Sequence, residues 1–306
     1  MAVYVNTNIS SLNGRRYLNN VQNSLTVTYQ RLSSGMRINS AKDDAAGLQI
    51  ADRLTTQING LNQGNRNTND GIAFAQTAEG ALDETTNMLQ KIRTLAVQAA
   101  NGTNTAEDRT SLKKEADALA NEITRIAKQT KFGGKTILMG NTKSAIYFSG
   151  GNGNATNGSQ GGKMTLQVGA NNKDEITFSV GNFIFSAMAK GVNDKAWKEA
   201  GVGAGKGFLF STAEGAKETI SLMDTLIAKV DSQRSDLGAI QNRLESSIRN
   251  QANVAANQAD ARSRIRDADF AEESANLSQQ SIIQQAATSM LMQANTRVQL
   301  ALSLIG

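Results

Sequence analysis

Hydrophobic and small residues recur at alternating gaps of three and four along both halves of the chain. In the first half this repeat runs from about residue 48 to residue 99, and in the second half from residue 216 to residue 265. Such spacing places the apolar side chains on one face of a helix. Two long helices, one from each half of the chain, are therefore predicted to pack against each other.

The two ends of the chain carry shorter repeats of the same kind. Residues 5–35 are predicted to form one helix, and residues from about 269 to the end another. Each helix has a narrow apolar stripe and needs a helical partner to bury it. The seam through which these ends are predicted to assemble consists of Leu18, Val21, Leu25, Leu32, Ile283, Met290, Leu291, Val298 and Ile305.

Between residues 135 and 212 the helical repeat gives way to short β-prone runs. These runs, at 136–139, 145–148, 164–168 and 176–180, are separated by turns rich in glycine and asparagine. Upstream, Ser40 and Asp43 are predicted to form a capping box at the start of the first long helix. The predicted fold class is mainly α: a long antiparallel helical rod, or coiled-coil-like bundle, with a small β-hairpin cap.

Composition excludes most catalytic chemistry. The chain has no histidine and no cysteine, which removes imidazole bases, thiolate nucleophiles and the usual zinc ligands. With 39% hydrophobic and only 5% aromatic residues, a thick globular core is not expected. We predict no catalytic, metal or cofactor site, and therefore no enzyme.

Charge and hydropathy argue against two further classes of partner. The net charge is +5, but basic residues are scattered, and even the group at 262–266 is followed by four acidic residues, so no nucleic-acid binding is predicted. No run of about 18 apolar residues exists to cross a bilayer. Because the start also lacks the apolar run of a secretory signal, any export is expected to use another route.

Two glycine- or asparagine-rich runs are near misses to ligand-binding loops. Residues 200–207 lack the first glycine and the final hydroxyl residue of a phosphate-binding loop, and residues 65–71 lack the acidic residue that closes a calcium loop. A surface loop and a solvated helix face explain these runs better than ligand sites do.

The run at residues 31–48, RLSSGMRINSAKDDAAGL, resembles the N-terminal motif of bacterial flagellins. Residues 69–72, 75–82 and 95–101 are similar to the motifs that follow it, and residues 166–171 are similar to the cap hairpin of that family. Residues 232–244 and 264–273 resemble the C-terminal motifs. Together the resemblance covers nearly all of residues 1–175 and 212–306.

The resemblance implies a structural subunit that polymerises with itself into the bacterial flagellar filament. It also implies export by the flagellar type III apparatus, an extracellular location, an export chaperone at the C-terminal helices, and contacts with filament cap and hook-junction proteins. In this family the terminal segments, here 1–42 and 266–306, fold into an inner coiled-coil tube on assembly. Residues 43–176 and 212–265 would form the rod, and the short segment 177–211 the variable surface of a minimal flagellin.

One further partner is implied by the resemblance alone. Monomeric flagellins of many bacteria are recognised by vertebrate Toll-like receptor 5 through an arginine, a leucine and a glutamate, and the matching positions here are Lys91, Leu95 and Glu115. Lys91 departs from the pattern, so weakened recognition is expected because lysine lacks the planar guanidinium fork. The alternative is that Leu95 serves packing and that Lys91 is a solvated charge.

Three other functions compete with a filament subunit. A flagellar hook-filament junction protein also has helical termini but is expected to lack this density of motifs over residues 31–101. Some flagellins contain a protease domain, but that domain needs an H-E-x-x-H zinc motif, and the chain has no histidine. A secreted effector or adhesin is the remaining alternative.

Overall fold

Six helices and four short strands make up the described part of the chain. The computed structural model describes residues 7–140, 145–146, 162–190, 208, 210 and 212–303, with the side chains of the last helix described as far as Thr296. The helices are α1 (Ile9–Ser34), α2 (Ala45–Ala100), α3 (Ala106–Gln129), α4 (Phe185–Lys190), α5 (Ala213–Arg266) and α6 (Phe270–Ser303). The strands are β1 (Lys131–Phe132), β2 (Lys135–Thr136), β3 (Gly162–Gln167) and β4 (Glu175–Val180). The predicted fold class, mainly α with long helices and a small antiparallel hairpin, is confirmed.

The chain divides into two compact units. The central unit is Gly60–Asn253, and the terminal unit combines Met1–Asn59 with Val254–Gly306. Because α2 and α5 each cross the boundary, both helices contribute residues to both units.

In the central unit, α2 and α5 run antiparallel and share a buried stripe. Asp83 pairs with Arg234 at 2.9 Å, and Arg93, further along α2, pairs with Asp224, which lies earlier on α5. The buried apolar residues of the two helices include Leu82, Leu89, Ile92, Leu222, Val230 and Leu237. The helical repeats of the two halves therefore meet as predicted.

Two short antiparallel hairpins are described in the central unit. β1 and β2 are joined by Gly133 and Gly134, whose φ values of 56° and 80° lie in the left-handed region that favours glycine. β3 pairs with β4 from Gly162 opposite Val180 to Gln167 opposite Glu175. The second hairpin thus begins close to the predicted β-prone run at 164–168.

Phenylalanine side chains concentrate in one cluster of the central unit. The Phe74 ring lies 5.7 Å from that of Phe178, and the Phe208 ring lies 5.6 Å from those of Phe185 and Phe210. All five side chains are buried. The described part of segment 177–211, expected from the sequence to form surface, therefore also supplies core, and low aromatic content did not prevent a local aromatic core.

The start of α2 is capped differently from the prediction. The Gly47 N–H donates to the Asp44 carboxylate at 2.8 Å, which makes Asp44 the capping residue of a helix that begins at Ala45. Asp43 instead accepts from the Ser40 and Asn39 N–H groups. These hydrogen bonds lower the pKa of Asp43, with the Ser40 N–H contributing most. The predicted Ser40 and Asp43 pair exists, but it closes a turn before the helix.

Candidate assembly surface

Helices α1 and α6 form an antiparallel pair within the terminal unit. Near the start of α1, the Asn8 side-chain amide donates to the Ala294 carbonyl at 2.9 Å. Near its end, the Arg31 guanidinium pairs with the Glu273 carboxylate at 2.9 Å. Since early residues of one helix contact late residues of the other, the two termini of the chain lie side by side in opposite directions.

The pair is held together by few buried apolar side chains. Among the described side chains of the terminal unit, the buried apolar ones are Leu25, Ile38 and Ala51. Leu291 lies against Gly14, where an added Cβ atom would come within 3.1 Å of the leucine Cδ1 atom. Burial of apolar surface stabilises by about 25 cal/mol per Å², and these few side chains bury little of it. The isolated pair is therefore expected to open readily.

A charged contact fixes the register of the pair near the end of α1. The Glu273 side chain is only 8% exposed, and its partner Arg31 is 31% exposed. Sliding one helix past the other would separate the two charges. Each would then be partly buried without a partner, which is unfavourable. Arg31 and Glu273 thus favour a single alignment of α1 and α6.

The connections that join these helices to α2 and α5 are hydrogen-bonded to each other. The Arg37 N–H donates to the Arg266 carbonyl at 2.7 Å, and the Ala268 N–H donates to the Gly35 carbonyl at 3.0 Å. Gly35 itself ends α1 with φ 70°, a left-handed conformation. Part of the motif at residues 31–48 therefore forms a backbone junction in the terminal unit.

An apolar groove runs along one flank of the α1–α6 pair. Its volume is about 440 Å³. It is lined by Ser10, Asn13, Gly14, Tyr17, Val21, Ile283, Ala286, Ala287, Met290 and Ala294. Tyr17 and Met290 are 62% and 67% exposed, so this flank presents large apolar side chains to solvent. We call this surface the terminal groove.

The predicted seam residues fall into four sets. Leu25 and Leu291 pack between the helices, while Leu18 and Leu32 are half-buried. The terminal groove is lined by the predicted residues Val21, Ile283 and Met290. Val298 lies on α6 beyond the described side chains, and Ile305 lies outside the described residues.

The three positions that correspond to the receptor pattern, of which Lys91 departs from it, all lie in the central unit. Lys91 on α2 and Glu115 on α3 form an ion pair of 3.1 Å, and both side chains are about half exposed. Leu95 is 7% exposed and belongs to the hydrophobic core. Lys91 is therefore a paired rather than a free charge, and Leu95 contributes to packing.

The two near-miss ligand loops have simple structural outcomes. Residues 65–71 lie in the middle of α2, so they cannot wrap around a cation as a calcium loop does. Asn67 of that run donates its amide to the Gln167 carbonyl of the hairpin at 3.0 Å. Residues 200–207 lie outside the described residues.

Within the described part of the chain there is no group of three or more acidic residues arranged to hold a metal ion, and no helix there is long and apolar enough to span a membrane.

Comparison with known proteins gives matches over both ends and over the full length. The model of the bacterial flagellin N-terminal helical region matches residues 5–143, and that of the C-terminal helical region matches residues 220–305. Flagellin B of Vibrio cholerae serotype O1 is 37% identical over 376 aligned positions, and flagellin D of Vibrio anguillarum is 37% identical over 380, each alignment covering all of both chains. These alignments are longer than the 306 residues of this chain, so both relatives carry additional residues.

A solved structure also resembles the fold. A flagellar hook-associated protein from Vibrio parahaemolyticus gives a TM-score of 0.56 at 16% sequence identity, covering 74% of this chain and all of that one. At this identity the likeness concerns the fold alone.

Long paired helices, a small hairpin and an apolar flank on the terminal pair are features of a helical structural protein. The matched family models and the full-length relatives identify the family within this class. The chain belongs to the bacterial flagellin family. It is a structural protein and not an enzyme.

Proposed function

We propose that this flagellin assembles into the filament through the terminal groove. The chain is a structural subunit of the bacterial flagellar filament. The observation that supports this surface is the exposed apolar wall formed by Tyr17, Ile283 and Met290. Two paired helices bury too little to be stable alone, and a second copy supplies the missing apolar surface.

The test is polymerisation of purified monomer, followed by negative-stain electron microscopy and sedimentation. Long filaments of uniform width are expected. A protein that stays monomeric but adds to the ends of filaments made by another flagellin would instead support the alternative, a hook-filament junction protein. Absence of both activities would contradict the proposal.

We further propose that residues 1–42 and 266–306 form the inner coiled-coil layer of that filament. Support comes from the paired α1 and α6 helices, which carry most of the exposed large apolar residues described in the terminal unit. Residues 43–176 and 212–265 would form the outer rod layer, with the remaining surface supplied by segment 177–211. Filament cap and hook-junction proteins would then contact the same terminal layer at the two ends of the filament.

Export through the flagellar type III apparatus to the extracellular filament is proposed together with a chaperone for α6. The chaperone would cover the face that includes Leu277, Ile283 and Leu291. Because Leu291 also packs against Gly14 of α1, chaperone and α1 would compete for that part of α6.

Truncation near residue 265 is therefore expected to eliminate the chaperone complex, because it removes α6. Deletion of α1 is the matched control, and it should leave the complex intact or strengthen it, since the competing helix is gone. Co-purification with the export chaperone of the same organism measures both. Loss of the complex on deleting α1 would contradict binding to the α6 face.

Recognition of the monomer by vertebrate Toll-like receptor 5 is proposed at Lys91, Leu95 and Glu115. The pair of Lys91 and Glu115, at 3.1 Å and about half exposed, supports a polar contact surface there. Lys91→Arg is expected to raise potency in a receptor reporter assay, because the guanidinium can donate to two acceptors at once. Leu95→Ala is expected to lower it.

The burial of Leu95 requires a matched control for that second variant. Leu89 is a fully buried leucine on the same helix, so Leu89→Ala removes the same group from the core without touching the proposed contact. Monomer stability of both variants is followed by thermal unfolding. Equal loss of signalling in Leu89→Ala and Leu95→Ala, with no gain from Lys91→Arg, would rule out this site.

A further inference from the structure

Two methionines of α6 differ in their surroundings although they are equally exposed. Met290 is 67% exposed and Met292 is 66% exposed. Met290 lines the terminal groove, whereas Met292 does not. By contrast, Met188 and Met223 in the central unit are fully buried. The chain contains no cysteine, so thioethers are its sulfur groups open to oxidation.

We propose that Met290 is an oxidation-sensitive site that controls assembly. A hydroperoxide transfers its terminal oxygen to the Met290 thioether: the S–O bond forms, the O–O bond breaks, and sulfur loses two electrons. With hydrogen peroxide the other product is water. The resulting sulfoxide blocks addition of the subunit to the filament. This inference rests on the proposed function, because it needs the terminal groove to be an assembly surface.

Polarity explains why a single oxygen atom has this effect. A thioether packs as a flexible apolar group, whereas a sulfoxide is polar and chiral. On assembly it would be transferred from water into a groove whose walls include Val21, Ile283 and Ala287, and burying a polar group without a hydrogen bond is unfavourable. The monomer tolerates the change because Met290 faces solvent there.

Exposure also sets the order in which the methionines react. Susceptibility of a side chain to oxidation follows its accessibility. Met290 and Met292 should therefore oxidise together in the monomer and well before Met188 and Met223. Once the groove is covered in the filament, Met290 should be protected from the oxidant.

The experiment treats monomer with hydrogen peroxide, quantifies each sulfoxide by peptide mass spectrometry, and then measures polymerisation. For wild-type protein the critical concentration is expected to rise about ten-fold or more, equivalent to about 1.4 kcal/mol per subunit added. For Met290→Leu, whatever its critical concentration before treatment, peroxide should leave that concentration unchanged, because leucine has no sulfur to oxidise. Oxidised Met292→Leu, the matched control, should fail like the wild type.

The outcomes separate this inference from the proposed function. Failure of untreated wild-type monomer to polymerise would overturn both. Normal assembly of oxidised wild type, or protection by Met292→Leu instead of Met290→Leu, would overturn the role of Met290 alone. A second measurement needs no variant: Met290 should oxidise more slowly in filaments than in monomer, and equal rates would also overturn it.

Discussion

Replacing Leu25 with aspartate is expected to abolish filament formation while leaving the central unit folded. Leu25 is 6% exposed and is one of three buried apolar side chains described in the terminal unit. A carboxylate at this position would have to be buried without a partner or drive α1 and α6 apart. An uncompensated buried charge costs about 3–5 kcal/mol, and the α1–α6 pair has little other apolar burial to offset it.

The nearby substitution Asn23→Asp is the matched control. Asn23 is exposed, so this change adds the same charge to the same turn of α1 without burying it, and polymerisation should be retained. Thermal unfolding of the monomer should show the central transition unchanged in both variants, because Leu25 lies in the other compact unit. Filaments of normal length from Leu25→Asp would contradict an assembly role for the α1–α6 pair.

The terminal helices show how far a hydrophobic repeat can predict structure. The heptad spacing identified α1 and its buried position Leu25, because a period near 3.5 fixes which residues share a face. The spacing does not determine which side of α6 contacts α1. That helix is apolar around much of its surface, with Leu291 facing inward and Ile282 and Met292 facing solvent. The division into an internal seam and an open groove therefore emerged only from the three-dimensional pairing.

The central unit shows where local patterns were insufficient. The long stripes of α2 and α5 were visible, because each helix repeats its own signal over many turns. The aromatic cluster could not be predicted from the sequence, because Phe74 and Phe178 are far apart along the chain and meet only when the hairpin folds onto α2. Gln251 was missed for the same reason: its amide donates to the Val168 carbonyl at 2.5 Å. A lone glutamine on a helix gives no sequence signal of such a contact.

The glycines of α2 are a second sequence signal, which the hydrophobic repeat does not take into account. Three of them face the hairpin: an added Cβ atom would overlap Ala170 at Gly60, the Val168 carbonyl oxygen at Gly64, and Leu166 at Gly71. Glycine normally weakens a helix by about 0.5–1 kcal/mol relative to alanine. Their presence on one face therefore indicates close approach of another backbone, and here the approaching segment is the β3–β4 hairpin.

Gly64→Ala is accordingly expected to destabilise the central unit, although alanine is the better helix former. Gly80 lies on the same helix, and beyond the surrounding backbone of that helix nothing lies within 4 Å of an added Cβ. Gly80→Ala therefore measures the gain in helix propensity alone and should stabilise the protein by about 0.5–1 kcal/mol. In Gly64→Ala the new methyl group must displace the Val168 backbone and the contact to Gln251, and overpacking of this kind costs about 1–3 kcal/mol. The two variants should thus shift the unfolding temperature in opposite directions, by several degrees for the first. Calorimetry or thermal circular dichroism decides the question, and a Gly64→Ala protein as stable as Gly80→Ala would mean that the hairpin is not seated on this face of α2.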